Sequence, residues 1–394
     1  HNNSFLIASV VMGQSNLAAG ATIGSNHNSR ANDNEVQAGR GFWPGLCTSI
    51  KHSCRFASFV LLAKGDYPCE LDIPLPFALL NNDVARDRLE VMPAYWWQHN
   101  MYALARNAWK FQNRDKRHQK SQHIEFDSLA PDTAEEMLSA LRLLEIWTGR
   151  AALKKAGKGS AGQPDEAAAA KGRELLMDSP QATSQLEVPG EHLEKSKRKA
   201  LILRPYEGYQ AYRQMLSYYA VKNLIGWMEA HPQADFAALR NALQGPRRTR
   251  WINVGGQLML EEDVNQLRAD IGEGKLDSWE TIHGRYDRLW ESYPLEKQKH
   301  AFATLCVLYG QSNLTKDQWT DALQKAASIQ ELIRDRVYES RKKDFENPFR
   351  QATFRCPEEM QAALGTIEDN DFVKQVREDT DRFKKAVCEI TQRG

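Results

Sequence analysis

The chain has 394 residues, 42% apolar and 26% charged, with 52 Lys and Arg against 51 Asp and Glu. That length is enough for two or three domains around a sizeable core. A formal net charge of +1 excludes a global pull toward nucleic acid or acidic membranes, so only local basic patches remain to be judged.

The six cysteines are too few for a disulfide scaffold in so long a chain and read as reduced thiols of a cytoplasmic protein. No run approaches the roughly 20 apolar residues that a membrane helix needs, and no membrane partner is expected.

From Phe5 the text reads FLIASV, VMGQSN, LAAGAT, IGSNHN. Phe5, Val11, Leu17 and Ile23 recur every six residues, and Ser9, Ser15, Ala21 and His27 follow each by four. No helix has that period. Apolar anchors stacked inward, with small residues at the corners and backbone groups satisfied between neighbouring strands, predict a left-handed parallel β-helix of hexapeptide repeats. Because the chain opens on His1 already inside the pattern, further repeats are expected upstream. Ile50, Phe56 and Leu62 resume the period of six, out of register with Ile23. The polar stretch between them is therefore read as a loop extruded over 28–45. The three prolines of KGDYPCELDIPLPFALL then predict an extended cap, which completes a first domain over 1–92.

Next comes a connecting helix and basic segment over 93–130, with Trp97, Met101, Leu104, Ala108 and Phe111 on one helical face. Residues 131–394 read as an α-helical domain with a flexible linker near 155–200 that holds one Ala-rich helix. Helices are expected over Tyr206–Ala230, Phe236–Leu243, Glu261–Ile271 and Asp277–Trp290, with a hairpin around Gly255 and Gly256. Thr315 and Gln318 form a capping box before a long helix to about Phe345, and Val373–Thr391 reads as the last helix. Strands first and helices afterwards give an α+β multidomain protein rather than a doubly wound sheet.

Chemistry is expected first at the loop. His27 stands in a slot that Ser9, Ser15 and Ala21 fill with small side chains, so its imidazole is read as turned outward, a candidate catalytic base near neutral pH. Asn28, Asn34, Glu35 and Trp43 are candidate substrate contacts, and Arg30 or Arg40 a clamp for a phosphate or carboxylate. His52 is a candidate second acid or base. The plainer reading is that Asn, Asp and Gly only turn the chain. Cys47, His52 and Cys54 match no structural zinc spacing, and neither a metal nor a cofactor is expected.

A second candidate is the segment from Arg106 to His123. It carries Arg106, Lys110, Arg114, Lys116, Arg117 and Lys120 against one Asp, with Trp109 and Phe111 among them. Arg114, Lys116 and Arg117 are candidate phosphate contacts, although a solvated helix end explains the run equally well. Binding of RNA there is the weaker reading. No P-loop, Rossmann glycine fingerprint, zinc-protease motif or nucleophile elbow is present.

The polar GSNHNSR stretch, followed by RPYEGYQAYRQML and TRWINVGGQLMLEEDVNQLRADI, resembles a bacterial family of unknown function found in Bacteroidetes and spirochaetes. The resemblance implies a hexapeptide-repeat left-handed β-helix joined to an α-helical C-terminal domain, with more repeats upstream, and it brings no established activity. Repeats of this kind are similar to those of acyltransferases and sugar-nucleotide enzymes. The favoured reading is thus a transferase-like protein acting on a sugar, nucleotide sugar or acyl donor. The alternative is a non-enzymatic scaffold or binding module whose helical part docks a partner. A homo-oligomer through the β-helix faces is also expected.

Overall fold

The structure is a computed structural model that describes residues 5–6, 9–23, 35–157 and 164–393. The chain divides into two compact units, each built from two stretches. The first takes His1–Gln98 and Thr133–Arg213, the second His99–Asp132 and Gln214–Gly394. The division differs from the one read in the sequence, which kept 131–394 together.

Short parallel strands dominate the first unit. Phe5–Leu6, Thr22–Ile23, Ser49–Ile50 and Asp66–Tyr67 pair in that order as one sheet. Ser9–Val11, Val36–Ala38, Cys54–Phe56 and Asp72–Ile73 form a second. Trp43–Pro44, Leu61–Leu62 and Leu79–Asp83 begin a third. That sheet turns antiparallel at Arg88–Met92 and then adds Lys199–Ile202 and Val188–Pro189, reaching six strands.

The expected left-handed β-helix of hexapeptide repeats is therefore corrected: the region forms several parallel sheets of short strands, one of them mixed. The physical reason lies in the pairing. Thr22 meets Ser49 and Arg55 meets Asp72, steps of 27 and 17, whereas Val36 meets Cys54 and Trp43 meets Leu61 at steps of 18, so the strands keep no constant period of six. The third sheet also recruits strands from far along the chain. Several expected anchors are nonetheless inside, with Leu17, Ile23, Ile50, Phe56 and Leu62 all buried. The loop expected over 28–45 holds strands at Val36–Ala38 and Trp43–Pro44, while its residues up to 34 lie outside the described ones. The stretch near 155–200, read as a linker, supplies the helices Asp165–Asp178 and Pro180–Ser184 and the strands Val188–Pro189 and Lys199–Ile202.

Aromatic pairs fill the interior of this unit. Phe42 stacks on Phe56 at 4.8 Å and Phe59 on Phe77 at 4.9 Å. The helix Pro131–Lys155 is tied to the sheets by Glu136, which accepts from the Ser58 amide at 3.0 Å and the Ser58 hydroxyl at 3.2 Å. Tyr212 donates to the Pro76 carbonyl at 2.6 Å. Pro131–Lys155 and Asp165–Asp178 cross at two glycines. A Cβ on Gly149 would stand 1.8 Å from the Ala168 carbonyl oxygen, and one on Gly172 would stand 1.8 Å from that of Glu145.

The second unit is helical apart from the hairpin Trp251–Val254 and Gln257–Leu260. Its helices are Met101–Arg114, the later part of Pro205–Ala230, Phe236–Leu243, Glu261–Gly272, Trp279–Tyr309, Lys316–Glu346, Pro348–Gln351, Pro357–Leu364 and Asp371–Gln392. Capping boxes start two of them, at Ser278 with Thr281 and at Thr315 with Gln318. Trp279–Tyr309 continues through Pro294, beyond the end expected near Trp290. Among the described residues no helix is long and apolar enough to cross a membrane.

Candidate functional site

In the first unit, His27, Asn28, Arg30 and Asn34 lie outside the described residues. Glu35 is exposed at the start of Val36–Ala38. Arg40 is only 2% exposed. It donates to Gln14 Oε1 at 2.7 Å, and its guanidinium stands 5.8 Å from the centre of the Phe59 ring. Trp43 packs on Trp96 at 5.3 Å. His52 is 3% exposed, and neither ring nitrogen has a hydrogen-bond partner among the described residues.

Cys54 is buried as well. Its thiol donates to the Lys51 carbonyl and accepts from the Leu71 amide, and burial pushes it up to about 12. Burial of this kind disfavours the thiolate, the form in which cysteine is nucleophilic. Among the described residues no three His, Cys, Asp or Glu gather as a metal-binding group.

The second unit holds two adjoining features built by one stretch of chain. The helix Met101–Arg114 places Arg106, Lys110 and Arg114 four residues apart, hence on one face. Arg106 lies 5.4 Å from the Trp109 ring centre and Lys110 lies 6.0 Å from that of Phe111. Arg114 and Lys116 are exposed. None of these four cations has a carboxylate within ion-pair distance among the described residues. Arg117 differs. It grips Asp115 through two nitrogens at 2.9 Å, which with Lys120 nearby holds the Asp115 carboxyl down to about 2. The three expected phosphate contacts thus separate into two unpaired cations, Arg114 and Lys116, and one already matched.

Downstream, the chain enters a polar interior. Gln122 donates to the Gly255 carbonyl and the Glu125 amide to the Gly256 carbonyl, so the hairpin tip grips this segment. Gly256, at φ +112, brings its backbone against Ile124, which a Cβ would meet at 3.1 Å. Glu125 is 7% exposed and accepts from Tyr293 Oη at 2.6 Å and Lys297 Nζ at 2.7 Å. Asp127 accepts from Lys222 Nζ at 2.6 Å. Burial alone would raise the Asp127 carboxyl, but the ammonium groups of Lys222 and Lys297 outweigh it and hold it at about 2. Asp127 in turn raises Lys222. Burial pushes Tyr218 up to about 12 and, with Glu125 beside it, raises Tyr293 well above the usual phenol. These groups are driven away from neutrality, which suits fixed charge and hydrogen bonding better than proton transfer.

The same network shows a pattern the sequence reading missed. Trp279, His283, Tyr286, Trp290, Tyr293, Lys297 and His300 follow one another by four and three residues along one face of Trp279–Tyr309. His123 stacks on Trp290 at 5.1 Å, Trp290 on Tyr293 at 5.1 Å, and Tyr219 shares a 2.8 Å hydrogen bond with His300 Nδ1. Counting aromatic and polar residues together at helical spacing would have found this face. An apolar count misses it.

Over 382 residues, 96% of its length, the chain is 41% identical to an uncharacterized protein of Treponema pallidum (strain Nichols). It spans 51% of that relative, about half. No protein-family model and no solved structure matches the chain. The similarity agrees with an uncharacterised bacterial family that includes a spirochaete member.

Proposed function

We propose that this protein is a binding module whose second unit takes a phosphate-bearing ligand along Met101–Arg114 and the residues just after it. One observation carries the reading. In a chain with 52 basic and 51 acidic residues, Arg106, Lys110, Arg114 and Lys116 stand together without a carboxylate partner among the described residues. Guanidinium and ammonium groups left unpaired in this way suit phosphate oxygens, which accept charge-assisted hydrogen bonds. A cytoplasmic setting fits the six cysteines, all of them free thiols. The transferase reading has less support, since Arg40 and His52, its described arginine and histidine, are both buried.

The test is calorimetric titration of the chain with pyrophosphate and with a nucleotide sugar. Replacing Lys110, Arg114 and Lys116 by alanine is expected to abolish the heat of binding while leaving the far-ultraviolet circular dichroism unchanged. Equal binding by the triple variant would refute the assignment.

A further inference from the structure

We infer that the phosphate-bearing ligand of the second unit is a single-stranded nucleic acid, a reading that rests on the phosphate-binding assignment above and narrows it. The cations form a row rather than a pocket. Arg106, Lys110 and Arg114 are each separated by four residues on one helix, which at 1.5 Å per residue makes a repeat of about 6 Å and a row about 12 Å long. That repeat is close to the distance between neighbouring phosphates of an extended strand. Lys116 adds a fourth exposed cation two residues beyond the end of the helix. A single phosphate or pyrophosphate would use one or two of these groups and leave the others unmatched, whereas a strand of four nucleotides engages all of them.

Rings accompany the charges. Trp109 and Phe111 are half-buried between the cations, with Arg106 over Trp109 and Lys110 over Phe111. Phe111 has its face toward a cation and no ring stacked on it among the described residues. Bases stack on such faces without sequence preference, and the neighbouring guanidinium or ammonium adds a cation–π contribution. Arg117 and Lys120, already occupied by Asp115, end the row on its C-terminal side. The site is therefore short, about four nucleotides, and sequence-tolerant.

Counterion release makes this quantitative. Four phosphate contacts to a single strand give a slope of log affinity against log salt of about −3, so binding falls about fifty-fold between 50 and 200 mM salt. The experiment uses the full chain and fluorescence anisotropy of a labelled ten-nucleotide oligouridylate, with polyphosphate, poly-glutamate and a blunt duplex as unlabelled competitors.

Three results are expected. The slope is near −3; K110A/R114A/K116A flattens it to about −1; and F111L, which keeps apolar bulk but removes the π-face, weakens the oligonucleotide several-fold while leaving polyphosphate unchanged. Polyphosphate or poly-glutamate competing as well as the oligonucleotide, with F111L silent, overturns the nucleic-acid inference and leaves the phosphate or general polyanion reading standing. A duplex that competes better than the single strand also overturns it. If neither oligonucleotide nor polyphosphate nor pyrophosphate binds, the phosphate-binding assignment itself falls.

Discussion

Tyr293 and Glu125 are joined by a 2.6 Å hydrogen bond although 168 residues separate them in the chain. The oxygen that accepts from the phenol also accepts from Lys297 at 2.7 Å. One carboxylate oxygen thus holds the helix Trp279–Tyr309 to the segment that follows the basic row. Glu125→Gln would keep the shape but leave a mostly buried ammonium, 13% exposed, without its hydrogen-bonded carboxylate and with only the charge of Asp127 nearby. Breaking one partner of such a pair costs about 3–5 kcal/mol. Urea unfolding should show a fall of that size, with Tyr293→Phe losing about 1–2 kcal/mol. An unchanged midpoint for Glu125→Gln would mean that the pair does not hold the helix.

Acid should act through Asp127. Its carboxyl is held at about 2 in the folded chain, below the value of about 3.9 expected unfolded. The stabilisation from this group is therefore complete above about pH 4 and is lost as pH falls toward 2, because the unfolded state then binds the proton first. Stability measured from pH 5 to pH 2 should drop less steeply in Asp127→Asn than in the parent. Parallel curves would show that the ion pair with Lys222 contributes nothing across that window.

The crossing of Pro131–Lys155 with Asp165–Asp178 tolerates no side chain at Gly149 or Gly172. A methyl on either would have to displace a backbone carbonyl, and rigid backbone cannot yield as a flexible side chain can. Gly172→Ala should cost about 2–3 kcal/mol, seen as a drop of several degrees in melting temperature. A variant that melts with the parent would mean that the two helices separate readily.

His52 invites the opposite expectation. A buried imidazole with neither nitrogen bonded among the described residues carries a desolvation cost that a leucine would not. His52→Leu should fold and stay within about 1 kcal/mol of the parent, or exceed it. A large loss in guanidinium unfolding would reveal a partner for the ring.

Local signals were legible where they were strong. The capping box of Thr315 with Gln318, the hairpin at Gly255 and Gly256, and the helix Phe236–Leu243 follow from turn chemistry and periodicity. Ile23, Ile50 and Leu62 announced their burial through their spacing. The architecture that spacing was taken to imply did not follow, because a period of six fixes which side chains turn inward and not which strand each one meets. Lys199–Ile202 reads as the end of a charged run, yet it pairs with Arg88–Met92. That partnership depends on residues more than a hundred positions away, which no local window contains. The helix expected to end at Trp290 runs on through Pro294 to Tyr309, carrying the buried Tyr293 and His300. Packing on both sides of the proline outweighs one lost backbone bond.

Each unit is assembled from two separated stretches of the polypeptide. No single cut can release either one whole, and a fragment ending at residue 131 would carry pieces of both. The order of synthesis is constrained in the same way. Phe372, which packs on Tyr102 at 5.6 Å and Trp109 at 5.5 Å, emerges from the ribosome long after the helix it covers. Until then that helix, with its cationic face, has to wait beside the growing chain for its cover, and closing so long a loop slows the final step of folding.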